Sequence, residues 1–191
     1  MERIILASAS PRRREILRRA GLETFTVLPV EADESWSGEL SPEEIVSSIS
    51  RKKALAARPL VGERDIVIAA DTMVFLDGLR LGKPHSQEEA VWMLRRLSGR
   101  DHTVWTGVTV AQGDRMEPEA EATAVRFFPL TEEEIRRYVA TGEPMDKAGA
   151  YGLQDRGSVL VEGLEGDCFN VMGLPVARLE RMLRRFGAGI L

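Results

Sequence analysis

Two hydroxyl and two guanidinium side chains lie close together near the amino terminus of the chain. The run from Ser8 to Arg13 reads SASPRR and follows a short apolar stretch that predicts a strand. Ser10 suits an N-cap and Pro11 the first helical position, so a helix is predicted to begin there. Free backbone N–H groups and the positive end of the helix dipole favour an anion at such a point, whereas Arg12 and Arg13 oppose that dipole unless an anion binds. The run predicts a phosphate site, or else a plain cap beside solvated arginines.

Lys53 is the next candidate because of its position on a predicted helix. On a helical wheel of residues 41–57, Lys53 falls inside the apolar sector, whereas Lys52 falls nearer its edge. An ammonium group that points inward needs an anionic partner or a ligand, since burial of an unpaired charge is costly. The alternative is a lysine whose stem packs while its head reaches water.

Two acidic positions complete a potential metal or base site. Asp71 follows the apolar run 66–70, where this predicted strand is expected to end, and ligand sites of α/β sheets commonly open at such ends. A carboxylate there can hold a divalent cation or take a proton from water, or it simply begins a turn. Glu34 lies in the acidic loop 31–34 and is either a second metal carboxylate or a solvated surface residue.

Two further residues have side chains suited to a nucleotide. Lys83 stands between Gly82 and Pro84 on a constrained loop and is a candidate phosphate contact. The Gln154 amide can both donate and accept hydrogen bonds, so it can read the edge of a base. These candidates comprise several cations and two carboxylate regions but no nucleophile–base pair, which suits hydrolysis of a phosphoanhydride by water.

The composition excludes several classes of protein. The 191 residues are 43% hydrophobic and 29% charged, which is typical of an ordinary globular protein. A net charge of −4 argues against a nucleic-acid-binding surface. One cysteine and two histidines make a disulfide and a structural zinc site unexpected, and favour a hard cation on carboxylates in a reducing compartment. No apolar run is long enough to span a membrane, so we expect a cytoplasmic protein.

The elements that must position these residues alternate irregularly between strands and helices. Helices are predicted to begin at Ser10, Ser41, Ser86, Thr131 and Pro175. Ser86 and Thr131 each start a capping box, with reciprocal hydrogen bonds to a glutamate three residues later. Strands are predicted over 3–7, 25–30, 66–70, 102–112 and 121–128, with a hairpin over 73–81. This pattern predicts a single α/β domain over residues 1–191, with a mixed twisted β-sheet flanked by helices, and not a simple doubly wound fold.

Several segments resemble motifs of the Maf family of nucleotide pyrophosphatases. These motifs occur in order along nearly the whole chain and read LASASPRR over 6–13, ADT over 70–72, GKP over 82–84, RLSG over 96–99, DKAGAYGLQ over 146–154 and MGLP over 172–175.

The resemblance implies a fold related to the inosine triphosphate pyrophosphatases, with two lobes, a central cleft and a divalent cation, Mg²⁺ or Mn²⁺. It implies that Asp71 is the proton acceptor and a metal ligand, and that Glu34 is the second metal ligand. The implied triphosphate cradle consists of Ser8, Arg12, Arg13, Lys53 and Lys83. Lys53 and Lys83 thereby join Asp71 and Glu34 in the predicted catalytic set.

The resemblance also implies a substrate preference. Arg12, Thr72 and Gln154 match the branch of the family that acts on dTTP and UTP, whereas the branch that prefers 7-methyl-GTP differs at these positions. The expected reaction is attack of water on the α-phosphorus, which gives the monophosphate and pyrophosphate. A homodimer is compatible with the family. The alternative function is a nucleotide-binding regulator linked to cell division, which would need the cations and the base reader but not Asp71.

Overall fold

The computed structural model describes residues 3–36 and 38–191. The strands are β1 (Ile4–Leu6), β2 (Thr26–Val27), β3 (Ile66–Leu76), β4 (Leu79–Leu81), β5 (Asp101–Gln112), β6 (Arg115–Phe127) and β7 (Val161–Glu165). The helices are α1 (Pro11–Arg19), α2 (Pro42–Ala57), α3 (Gln87–Leu97), α4 (Glu132–Val139), α5 (Cys168–Met172) and α6 (Val176–Arg185).

The strands form one mixed sheet in the order β2-β1-β3-β5-β6-β7, and β4 pairs with β3. Strand β1 runs parallel to both β2 and β3. Strand β4 is antiparallel to β3, and β7 is antiparallel to β6. The prediction of a mixed sheet flanked by helices is confirmed.

The chain divides into two compact units, each assembled from separate segments. Unit 1 contains the chain up to Thr72 together with Thr106–Glu121 and Gly173–Leu191, and unit 2 contains Met73–Trp105 and Ala122–Met172. Three of the four boundaries therefore fall within β3, β5 and β6, and the fourth follows α5. A small apolar core in unit 1 is formed by Ile5, Ala7, Ala54, Ala57, Val67, Ala69 and Ala111. The core of unit 2 is built around Leu94, Leu97, Val104, Phe127, Ile135 and Tyr151.

Strand β3 is longer than the sequence pattern predicts, and it does not end before Asp71. Its first part pairs with β1 up to the register Leu6↔Ile68, and its last part pairs with β4 from Val74 to Leu76. The strand continues because the residues after Asp71 favour β structure and the turn comes only at Asp77, where φ is 49°. Asp71 therefore lies within a strand, just beyond the last residue pair with β1.

Strand β6 also begins earlier than predicted, at Arg115 and not at residue 121. The early part of β6 carries Glu117, Glu119 and Glu121, which at first sight favour an exposed loop over a strand. Arg178 and Arg185 of α6 bind these three carboxylates. The glutamates of β6 are thus paired with arginines of α6 that lie 57 to 68 residues later in the chain.

Helix starts follow the predicted capping chemistry. The side chains of Ser10, Ser41 and Thr131 each accept a hydrogen bond from the backbone of their helix, and the last two form full capping boxes. Ser86 caps α3, but the predicted reciprocal bond is absent because Glu89 accepts from the His85 N–H instead. The short helix α5 was not predicted, and β2 is shorter than expected. Within the described residues, no helix is long and apolar enough to cross a membrane.

Candidate active site

Lys53 joins two carboxylates in unit 1. Its Nζ lies 2.6 Å from Asp71 Oδ1 and 2.8 Å from Glu34 Oε1. The Lys53 and Asp71 side chains are 14% and 10% exposed, whereas that of Glu34 is 58% exposed. Of the two alternatives left open for Lys53, the structure shows the inward ammonium with anionic partners. Asp71 Oδ2 is buried and has no hydrogen-bond partner among the described residues.

Helix α2 holds Lys53 in place because it lies directly against the sheet. A Cβ atom built on Gly107 of β5 would lie 2.1 Å from the Val46 carbonyl oxygen, so only glycine permits this approach. The buried hydroxyls of Ser50 and Thr109 are 2.9 Å apart and join the same helix and strand. Lys53 follows Val46 by about two helical turns, so the close contact at Gly107 fixes the height of the ammonium above the sheet.

A second cluster surrounds Arg13 in the first turn of α1. Its Nε donates to the Gly173 carbonyl oxygen at 2.8 Å, Nη1 donates to Ser8 Oγ at 3.3 Å, and Nη2 donates to Thr72 Oγ1 at 3.1 Å. All three acceptors are neutral, so these bonds orient the guanidinium without cancelling its charge. Burial lowers the pKa of Arg13, and the negative charge of Asp71 counteracts that effect. A guanidinium remains charged in proteins, so it is available to an anion.

Two members of the Arg13 cluster, Thr106 and Gly173, were not predicted as site residues from the sequence. Thr106 is fully buried on β5, and its hydroxyl lies 2.9 Å from that of Thr72. A threonine within a strand is common, so only its neighbours in space reveal it. Gly173 belongs to a recognised motif, but the motif did not reveal its role as an acceptor for Arg13. Its φ of +112° favours glycine and turns its carbonyl oxygen towards the arginine.

The remaining predicted site residues are placed as follows. Arg12 is half-buried beside Arg13 at the start of α1, in unit 1. Lys83 is exposed on the loop between β4 and α3, and Gln154 is exposed on a loop that precedes β7. Both of these residues belong to unit 2. Unit 1 therefore brings together Ser8, Arg12, Arg13, Glu34, Lys53, Asp71 and Thr72, whereas the contributions of Lys83 and Gln154 and the predicted cleft stay predictions.

The carboxylates of unit 1 fit a divalent cation only in part. Among residues 3–36 and 38–191, no group of three or more His, Cys, Asp or Glu side chains is arranged to hold a metal ion. Mg²⁺ is commonly held by one or two carboxylates together with substrate phosphates and water. The partnerless oxygen of Asp71 is a hard ligand of the required kind, with Glu34 nearby on Lys53. The residues present fit a cation that binds together with the substrate.

His102 has a structural role in the core of unit 2. It is 3% exposed, its Nε2 lies 2.8 Å from the Tyr151 hydroxyl, and its ring packs edge-on against Phe127. Burial lowers the pKa of His102 to about 4. His102 is thus a packed core residue of unit 2.

Comparison with known proteins identifies the family of the chain. The family model described as Maf-like protein matches residues 3–186. The chain belongs to the Maf-like family. The dTTP/UTP pyrophosphatase of Pelotomaculum thermopropionicum is 51% identical over 193 residues, which cover 100% of both chains. The dTTP/UTP pyrophosphatase of Symbiobacterium thermophilum is 49% identical over 98% of this chain and 95% of its own length. That of Bacillus velezensis is 47% identical over 97% of each chain. The Arg13 and Lys53 clusters thus lie in a Maf-like protein whose relatives are named as pyrophosphatases.

Proposed function

We propose that this Maf-like protein hydrolyses nucleoside triphosphates at the bond between the α- and β-phosphates, giving a monophosphate and pyrophosphate. The proposed substrates are dTTP and UTP, or modified pyrimidine nucleotides. The names of relatives that match along the full chain support this proposal. The observation that carries it is the Asp71 carboxylate: its buried Oδ2 has no hydrogen-bond partner among the described residues, and its Oδ1 contacts the Lys53 ammonium in the same unit as the Arg13 guanidinium.

Asp71 is the proposed proton acceptor. A water molecule that attacks the α-phosphorus must lose a proton as the P–O bond to the leaving pyrophosphate breaks. Asp71 Oδ2 has no competing hydrogen bond, while Oδ1 is fixed by Lys53. This division leaves Oδ2 of an oriented carboxylate, with its two lone pairs, for both the proton and the proposed cation.

The cations of the site are proposed to bind the triphosphate. A lysine ammonium has three donors, and the two contacts of Lys53 with carboxylates leave one donor for a phosphate oxygen. Arg13 has two further N–H groups beyond the three that are hydrogen-bonded. Ser8, Arg12 and Lys83 complete the proposed cradle, and Arg12, Thr72 and Gln154 are proposed to set the base preference.

Asp71 and Glu34 are proposed to hold a divalent cation, Mg²⁺ or Mn²⁺, when substrate binds. When bound, such a cation neutralises phosphate charge and acts as a Lewis acid. The ion pairs with Lys53 orient both carboxylates before that happens. A cytoplasmic location and a homodimer belong to the same proposal. The single cysteine supports the location, and the family resemblance supports the dimer.

The decisive experiment is a pyrophosphate-release assay with a panel of nucleoside triphosphates, performed with Mg²⁺, with Mn²⁺ and with chelator. We expect metal-dependent turnover concentrated on dTTP and UTP. Turnover on 7-methyl-GTP instead would keep the chemistry but contradict the roles of Arg12, Thr72 and Gln154. Tight nucleotide binding without turnover of any substrate would favour the alternative of a nucleotide-binding regulator.

A further inference from the structure

The Thr72 hydroxyl contacts three polar groups of unit 1. Thr72 Oγ1 lies 3.1 Å from Arg13 Nη2, 2.9 Å from Thr106 Oγ1 and 3.4 Å from the Gly173 carbonyl oxygen. A threonine hydroxyl offers one donor and two acceptor sites. These three contacts therefore use its full capacity and leave none for a base.

The direction of each hydrogen bond follows from the chemistry of the partners. Arg13 can only donate, and a carbonyl oxygen can only accept. Thr72 must therefore accept from Arg13 and donate its single proton to Gly173. All three contacts are satisfied together only if the Thr106 hydroxyl donates to Thr72.

Thr106 is well placed to orient its neighbour. It is fully buried on β5 and belongs to unit 1, whereas Thr72 is half-buried. A donated bond from Thr106 fixes the Thr72 side chain so that its remaining lone pair faces Arg13. The Gly173 carbonyl holds the same guanidinium at Nε, so Arg13 is oriented from two sides.

We propose that Thr106 is a positioning residue for triphosphate binding, which acts through Thr72 to hold the Arg13 guanidinium towards the phosphates. The proposal rests on the proposed function, because it takes the anion at Arg13 to be the triphosphate of a nucleotide. Thr72 accordingly acts on the bound triphosphate through the arginine, and its proposed part in base preference does not depend on a hydrogen bond from its hydroxyl to the base.

Inorganic tripolyphosphate tests this proposal because it has the phosphates of the substrate but no base. Its dissociation constant is measured by calorimetry in the presence of chelator, so that no metal ion contributes, and is compared with that of dTTP. Thr106→Val keeps the shape of the side chain and removes the hydroxyl. We expect it to weaken tripolyphosphate and dTTP by the same factor, about 10-fold, which is typical of a lost bond in a charged network. Thr106→Ser keeps the hydroxyl and is expected to restore most of the affinity.

Thr123→Val provides the matched control, since it removes another buried threonine hydroxyl, on β6 of unit 2 and outside the Arg13 and Lys53 clusters. The Asn170 side chain that donates to this hydroxyl keeps its bond to the Val104 carbonyl oxygen. We expect this variant to change thermal stability but not the affinity for tripolyphosphate.

Three outcomes would overturn the proposal. They are an unchanged tripolyphosphate affinity in Thr106→Val, a loss confined to dTTP, and no binding of tripolyphosphate by the wild-type protein. None of these readouts requires turnover. A wild-type protein that binds tripolyphosphate but hydrolyses no nucleotide would therefore contradict the proposed function alone.

Discussion

Asp65 lies directly before β3, and Asp71 lies within it. Both residues are buried, but their carboxylates have different hydrogen-bond partners. The oxygens of Asp65 accept hydrogen bonds from Arg3 and from the Gly62 N–H, and the Arg3 guanidinium lowers the pKa of Asp65 to about 2. Asp71 has one oxygen on Lys53 and one without a partner among the described residues. A satisfied carboxylate stabilises a fold, whereas a partly satisfied buried one requires a functional explanation.

This difference predicts that the same substitution, aspartate to asparagine, affects turnover at Asp71 and thermal stability at Asp65. Asp71→Asn should lower kcat by about 10²–10⁴-fold, because the amide cannot accept the proton of water. Asp65→Asn, the matched control, should lower the melting temperature and leave kcat nearly unchanged. Pyrophosphate release and thermal unfolding of both variants provide the measurements. Near-normal turnover by Asp71→Asn in the presence of metal would remove Asp71 from the catalytic role.

The two adjacent lysines of α2 provide a second comparison at the residue scale. The Lys53 side chain is 14% exposed and lies between Asp71 and Glu34, whereas that of Lys52 is 34% exposed and bonds to the Ser35 carbonyl oxygen. Lys53→Ala should lower kcat/KM by about 10²-fold, as is typical when a preorganised donor is lost from an active site. Lys52→Ala should change it less than about threefold, since exposed pairs contribute little. Equal effects in steady-state kinetics would show that only the net charge of α2 matters.

At the scale of elements, the distance between α2 and the sheet depends on Gly107. Gly107→Ala would place a Cβ against the Val46 backbone, which cannot yield without moving the helix. We expect a loss of about 3 kcal/mol in the free energy of unfolding, together with a fall in turnover because Lys53 moves with α2.

Gly163 of β7 is the matched control for this substitution. A Cβ there meets no atom within 4 Å, so Gly163→Ala should change stability by less than about 0.5 kcal/mol. Chemical denaturation measures both variants. An unfolding free energy of Gly107→Ala equal to that of the control would mean that α2 does not rest on β5 as described.

The starts of several helices could be predicted from the sequence, because they depend on residues that are close together in the chain. The caps at Ser10, Ser41 and Thr131 were predicted because a cap depends on residues a few positions apart. The extent of β3 was not, because it depends on two partners that come from distant parts of the chain. The inward position of Lys53 followed from helical periodicity, whereas Thr106 has no periodic signal that separates it from an ordinary strand residue.

At the scale of the whole molecule, His102 predicts how stability responds to acid. Its pKa is about 4 in the folded protein and 6.5 for an unperturbed histidine, so between these values only the unfolded chain binds the proton. The stability that the neutral His102 contributes is fully present above pH 6.5 and is lost as the pH falls towards 4. We expect a loss of about 2 kcal/mol at pH 5 and about 3 kcal/mol at pH 4, relative to about pH 7.5.

His102→Gln isolates this contribution, because the amide does not titrate and can still reach the Tyr151 hydroxyl. Urea unfolding of both proteins at about pH 7.5 and about pH 5 gives the difference. The variant should lose less stability than the wild type over this interval. Parallel losses would show that other groups, and not His102, cause the acid sensitivity.

Sequence alone did not reveal how the chain is partitioned into its two units. The motif order identified the family, but each unit combines segments that are separated by tens of residues. Such pairings depend on long-range contacts that no local pattern contains. The predicted site residues up to Thr72 lie on neighbouring elements at the start of the chain, so a sequence pattern can associate them. The hydrogen bond from Arg13 to Gly173 spans 160 residues, and no sequence pattern predicts it.

The segmental make-up of unit 1 also sets the order in which the protein matures during its synthesis. Arg13 is made early, but the carbonyl oxygen that holds its Nε belongs to Gly173, a contact that spans 160 residues. Every segment of unit 2 precedes Gly173 in the chain, so unit 2 has all of its residues before unit 1 does. A growing chain on the ribosome thus reaches the complete hydrogen-bond set of Arg13 only after Gly173 has emerged, so we expect the proposed anion binding at this arginine to develop late in synthesis.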